Sequence, residues 1–199
     1  MLEAALRAIG FEVSGLIARV LWTQPENAVT PQTHMLLRVE LAGGSWLVDV
    51  GFGGQTLVGV LRLQADIEQA TLLEPFRLVQ LDGDWCMQSR VRGQWLSLYR
   101  FGLRPVPLVD YVVANHYVST HPNSNFVNHL NVARTTSTGR LSLRDREFAV
   151  RRIGLEPERH TLGGVAEIRE VLENEFLIRL PAHPQLDRRL DSLPGDRLG

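Results

Sequence analysis

The sequence predicts an α+β fold, with a β-rich, barrel-like first half followed by a mixed region of helices and strands. Three observations carry this reading. Between Phe11 and Leu108, short strand-like runs follow one another, separated by Asn, Gly, Pro and Asp breakers. Closely spaced strands with glycine turns, such as LDGDW at 81–85, describe a barrel or a strongly bent antiparallel sheet. Beyond Pro105 and Pro107 the period of the apolar residues changes to one that includes helices. Finally, 199 residues that are 44% apolar and 22% charged suffice to bury a substantial core in one or two domains.

Taken in order, residues 2–9 place Leu2, Ala5, Leu6 and Ile9 on one helical face, and Gly10 stands where a capping glycine stops a helix. An amphipathic helix needs a partner for its stripe, so these residues read as the last turns of a longer helical region. The runs FEVSGLIARVLW, HMLLRVEL, SWLVDVGF, PFRLVQL, DWCMQSRV and QWLSLYRF read as strands. VDYVVANHYVST reads as a helix ending near His121 and Pro122, and NHLNVARTT and GRLSLRDREFAVRRI as further strands. GGVAEIREVLENEF reads as an amphipathic helix whose stripe is Val165, Ile168, Val171 and Leu172. The tail from Pro181, with three prolines and several charges, reads as loose.

Charge and cysteine content narrow the function. A net charge of −1 supplies no concentrated basic patch, which excludes nucleic acid and anionic membrane surfaces as expected partners and leaves small molecules. No run approaches the roughly 18 apolar residues of a membrane span, and MLEAALRAIGF is too short and too interrupted for a signal segment. One cysteine, Cys86, allows no internal disulfide and no cysteine-rich zinc site, so a cytoplasmic, reducing location is expected. His116, His121 and His129 lack the carboxylate or cysteine company of a metal site and read as surface or turn histidines; no metal is expected.

The segment TPQTHMLLRVELAGGSWLVDVGFGG, residues 30–54, carries the chemistry. With a two-residue turn at Ala42 and Gly43, Leu41 pairs with Gly44, and His34 and Asp49 become diagonal neighbours on one face of the hairpin. Such neighbours sit roughly 7 to 8 Å apart at the backbone, a gap an imidazole and a carboxylate close with a hydrogen bond. A turn at Gly43 and Gly44 keeps the shared face but lengthens the gap. The opposite face collects Met35, Leu37, Val39, Leu41, Trp46, Val48 and Val50 and reads as the core side. A lone histidine and aspartate on a strand are more often structural than catalytic. GFGG directly after the aspartate favours chemistry, because glycines let backbone approach a ligand and turn N–H groups toward an anion.

Here the sequence resembles the arylamine N-acetyltransferases. TPQTHMLLRVEL, WLVDVGFGGQT, SLYRF, VDYVVANHYVSTHPNSNFVNHLNVAR and HTLGGVAEIREVLENEF look like the bacterial members, in order and at similar intervals. The resemblance implies a helical N-terminal domain, a β-barrel domain and a C-terminal α/β lid, in the superfamily with a cysteine-protease or transglutaminase-like triad. On that pattern residues 1–12 are a remnant of the first domain, which is mostly missing, 13–108 the barrel and 109–199 the lid. His34 matches the triad histidine and Asp49 the aspartate. The cysteine, in an RGGxCxE motif on a helix upstream, has no counterpart in this sequence, and the strand residue Cys86 reads as a small buried hydrophobe instead.

The resemblance also implies the reaction: ping-pong transfer of acetyl from acetyl-CoA, as co-substrate, to an arylamine or arylhydrazine through an acetyl-cysteine. Thr30, Thr33, Gly51, Gly53, Tyr117 and Asn123 match positions near the cofactor, and Phe52 matches the substrate pocket. Without its cysteine the chain is expected to be inactive, and its uncovered apolar surface is expected to favour self-association. Two other readings stay open: a CoA-binding or scaffolding protein without a nucleophile, and an enzyme using Cys86 within reach of His34.

Overall fold

A computed structural model describes residues 1–194 of the chain. The chain forms two compact units, one ending at His121 and the other beginning at Pro122.

The first unit opens with α1, Leu2–Ala8. Gly10, at φ +95°, ends it in a two-bond cap: its N–H donates to Arg7 O at 3.0 Å and that of Phe11 to Leu6 O at 3.0 Å. A side chain at that φ would be strained, so the glycine read as a helix stop is one. Strands β1 (Glu12–Val20), β2 (Gln32–Leu41), β3 (Gly44–Val48), β4 (Leu61–Arg62), β5 (Phe76–Leu81), β6 (Asp84–Val91) and β7 (Gln94–Phe101) follow, then α2, Leu108–Thr120. The sheet runs in the order β4-β3-β2-β1-β7-β6-β5, and its named strand pairs are antiparallel. Its β4 and β5 edges meet through Gln69. The side-chain amide of Gln69 accepts from Arg62 N at 2.8 Å and donates to Arg62 O at 3.0 Å, standing in for a peptide group on the β4 side. Its own backbone exchanges bonds of 2.8 and 2.9 Å with Phe76 on the β5 side. The sheet is thereby a nearly closed barrel.

Inside this barrel Leu16, Leu36, Leu47, Phe76, Leu78, Met87, Leu98 and Tyr99 form the main core. Truncating one of its fully buried leucines to alanine costs about 2 to 5 kcal/mol. This corrects the assignment of hairpin faces. Leu36 and Leu47, on the His34 side, lie in the main core, whereas Val13, Leu37 and Val39 form a small outer cluster with Leu2, Leu6 and Val48. Met35, Leu41 and Val50 are exposed. Pleat alternation distinguishes two faces without saying which one closes on itself, and both faces here carry apolar residues. The outer cluster also half-covers the stripe of α1, leaving Ile9 exposed.

In the second unit, α3 (Asn125–Asn128) leads to β8 (Asn131–Thr135), β9 (Gly139–Arg144), β10 (Glu147–Arg152), β11 (Glu158–Thr161), α4 (Val165–Asn174) and α5 (Pro184–Asp191). The four strands form one antiparallel sheet in the order β11-β10-β9-β8. Ile168 and Leu172, from the predicted stripe of α4, are buried against Leu141, Leu143, Phe148 and Phe176. The tail is not loose as far as Pro194. Pro184 starts α5 at a helix position that needs no N–H, and Leu190 and Leu193 join the core. The tail's last five residues, 195–199, lie outside the described part.

Candidate active site

The hairpin turn falls at Ala42 and Gly43, with Leu41 opposite Gly44 and Leu37 opposite Val48. The ladder stops there, short of the strand expected through Phe52. Asp49 turns its side chain back to accept the Gly51 N–H on Oδ1 at 2.9 Å, an Asx-type bond that takes the chain out of the sheet. Its Oδ2 lies 2.7 Å from His34 Nε2. Because a carboxylate can only accept, Nε2 is the donor in this pair, and Nδ1 is the ring nitrogen not engaged by Asp49. The Asp49 side chain is 2% exposed and that of His34 11%, so the carboxylate is sealed while the ring retains an opening.

One residue the sequence reading passed over completes the arrangement. Tyr99 is fully buried and donates its hydroxyl to Asp49 Oδ2 at 2.7 Å, with Met87 Sδ 3.0 Å away. Burial and the neighbouring Asp49 charge push its phenol well above the usual tyrosine range, so it remains a donor. The signal was a tyrosine in the core strand QWLSLYRF, since a buried phenol needs a partner. Phe52 packs against the main core and meets the His34 ring edge-on at 5.2 Å, while Tyr99 lies 4.8 Å from it; the two rings hold the imidazole in place.

The other residues singled out are placed as follows. The Thr30 hydroxyl donates to Val20 O at 2.8 Å and its carbonyl accepts from Arg19, so Thr30 ties down the loop before β2. Gly53 begins a single 3-10 turn, Gly53–Gln55, at φ +77°, and its carbonyl is taken by Thr56. Thr33 and Tyr117 share a cleft of about 710 Å³ with Gln32, Arg104, Asp110 and Val113. Tyr117 also stacks on His121 at 4.6 Å. Asn123 lies in the turn before α3, in the second unit.

Cys86 is fully buried, and burial raises its thiol to about 11. Its neighbour Met87 points toward Tyr99, so by alternation the Cys86 side chain faces the other way, and its Sγ makes a weak 3.8 Å contact with Met87 O. His129 is more than a turn histidine. Its Nδ1 lies 2.6 Å from Asp145 Oδ2, and Asp145 Oδ1 accepts the Leu130 N–H at 2.9 Å, which pins the β9–β10 turn to the start of β8. Histidine and aspartate are 16 positions apart and meet only through the β8–β9 pairing. Among the described residues no group of three or more His, Cys, Asp or Glu is placed to hold a metal, and no helix is long and apolar enough to cross a membrane.

A barrel that presents a histidine oriented by a sealed carboxylate is a framework for acyl transfer. A model described as N-acetyltransferase matches residues 1–185. The arylamine N-acetyltransferase of Mycolicibacterium smegmatis is 43% identical over 183 residues, covering 90% of this chain and 66% of that protein. The Escherichia coli arylamine N-acetyltransferase is 38% identical over 175 residues, 87% of this chain and 62% of its own length. The solved structure of the Mycobacterium marinum enzyme in complex with CoA superposes with a TM-score of 0.92 at 36% identity, over 96% of this chain and 73% of that one. This chain belongs to the arylamine N-acetyltransferase family. It spans about two thirds of the length of the curated relatives it matches.

Proposed function

We propose that His34 and Asp49 are the base and orienting acid of a thiol-dependent acetyl transfer from acetyl-CoA to an arylamine or arylhydrazine. The observation that carries this is the 2.7 Å bond between His34 Nε2 and Asp49, which leaves Nδ1 free to take a proton. A thiol presented to Nδ1 gives up its proton, and the aspartate stabilises the imidazolium that forms. The thiolate attacks the thioester carbonyl, and the carbon–sulfur bond to CoA breaks. CoA leaves with the ring's proton. The amine lone pair then attacks the acetyl-thioester, a carbon–nitrogen bond forms, and the amine proton returns through the ring to the released thiolate. An aromatic amine is largely neutral at pH 7 and needs no stronger base.

Cys86 does not serve as this thiol. Its burial, its raised pKa and its orientation away from Tyr99 all oppose it. On this reading the 199 residues by themselves transfer little or no acetyl until a thiol is presented to His34. The same burial supports a second reading, a CoA-binding or scaffolding protein that keeps the fold without the chemistry. On the first reading Phe52 lines the acceptor pocket, and Thr30, Thr33, Gly51, Gly53, Tyr117 and Asn123 approach the coenzyme. On the same reading residues 1–12, 13–108 and 109–199 correspond to the helical, barrel and lid domains of the family, in the reducing cytoplasm. The exposed Leu108, Val109, Val112 and Val113 on α2 support self-association.

The test joins a helical segment bearing RGGxCxE ahead of Met1 and assays acetyl transfer from acetyl-CoA to aniline. Activity is expected in the extended chain, unchanged in its Cys86→Ala form and lost in His34→Gln. Equal activity with His34→Gln contradicts the assignment. An inactive extended chain that still binds CoA favours the second reading.

A further inference from the structure

The cleft that gathers Thr33 and Tyr117 also holds a charge with no counterpart. Apart from six histidines every basic side chain of this protein is an arginine, since its 21 Lys and Arg residues include no lysine. Of the nine arginines in the first unit, eight hold a hydrogen bond or an ion pair. The ninth, Arg104, holds none among the described residues and lines the cleft. Asp110, the cleft's one acidic residue, is not within ion-pair distance of it. It sits in the first turn of α2, where the helix dipole favours a negative charge. The cleft thus carries one unpaired cation and one separated anion on walls that are otherwise neutral.

We propose that Arg104 is the residue by which this cleft recognises the phosphate groups of a coenzyme A thioester, an inference that rests on the acetyl-CoA reading above. An unpaired guanidinium presents a planar fork of donors that suits phosphate oxygens. The position of the cleft selects for a long ligand. The β1–β2 register shifts at Thr33, and Pro31, Gln32 and Thr33 line the cleft, while His34, next along the chain, turns to Asp49. Pairing between β2 and β3 extends only to Leu37, which leaves residues 32–36 without a β3 partner. A small anion at Arg104 stays on the outer face of the strand. A phosphate tethered to a flexible pantetheine arm is held there while its thiol end passes the start of β2 toward His34. Asp110, which lines the same cleft, repels phosphate and leaves Arg104 as the group that draws the charged end of the ligand.

Isothermal titration of the full chain with CoA and with pantetheine, which lacks the phosphates, tests this. The expected result is that CoA binds more tightly than pantetheine, that Arg104→Ala removes at least about tenfold of that preference, and that Asp110→Asn increases it. Pantetheine affinity is expected to stay within twofold in both variants, and matching thermal melts check that each is folded. Equal binding of CoA and pantetheine by the unmodified chain, or a preference that survives Arg104→Ala, overturns the role of Arg104 and leaves the acetyl-CoA reading in place. Failure of the unmodified chain to bind either compound contradicts that reading itself, and this inference with it.

Discussion

Tyr99 donates a 2.7 Å hydrogen bond to Asp49 Oδ2, the same oxygen that faces His34 Nε2. With the Gly51 N–H on Oδ1, the buried carboxylate has three partners drawn from β2, β7 and the glycine turn. Its position is therefore fixed by the hairpin register and the local Gly51 bond together with one long-range contact from β7.

Removing one of those partners leaves buried acceptor capacity unfilled. Tyr99→Phe keeps the ring beside His34 and deletes only the hydroxyl, and it is expected to lower unfolding free energy by about 1 to 3 kcal/mol. Urea denaturation measures it. A change below about 0.5 kcal/mol would show that the phenol does not hold the carboxylate.

The docking of α2 makes a second prediction. A Cβ at Gly15 would lie 2.7 Å from the Tyr111 hydroxyl oxygen, which is buried without a hydrogen-bond partner. Gly15→Ala is expected to cost about 1 to 3 kcal/mol, Tyr111→Phe to cost nothing or to stabilise, and the double variant to recover most of the loss. A double-mutant cycle reads the coupling. Additive effects would mean that the hydroxyl is not what excludes a side chain at Gly15.

Alkaline pH weakens the protein for an identifiable reason. Burial raises Cys86 to about 11 and Tyr111 to about 12, and holds Tyr99 well above its ordinary range. Each raised group stays protonated in the folded chain after its unfolded counterpart has ionised. Stability is thus fully present below about pH 9, where the first of them begins to ionise when unfolded, and falls as pH rises through the folded values. Urea midpoints from pH 7 to 11 are expected to decline above about pH 9, and Cys86→Ala to remove the earliest part of the decline. A flat profile to pH 11 would contradict this.

Much of the architecture was legible because it is written in local signals. Six of the seven strands of the first unit, α2 as a helix, the α4 stripe and the Gly10 cap follow from period and punctuation, whereas the two-residue β4 does not. The His34–Asp49 approach was legible as well, since a two-residue turn fixes register. Long-range pairing was not. Tyr99 meets Asp49 across 50 positions, and His129 meets Asp145 through the pairing of β8 with β9. The face of the hairpin that closes as barrel interior depends on strands far along the chain, and α5 was hidden by prolines that mark a helix start as readily as a loop.

The availability of His34 Nδ1 is the most direct point at which to test the whole account. Long-range ¹H–¹⁵N correlation spectra of histidine-labelled protein, with His34 assigned from its Gln variant, report which ring nitrogen carries the proton at neutral pH. The Nε2–H tautomer is expected in the unmodified chain, giving way to a mixture in Asp49→Asn. A proton on Nδ1, or a spectrum of His34 indifferent to Asp49→Asn, would contradict the claim that this carboxylate readies the ring to receive a proton from a thiol.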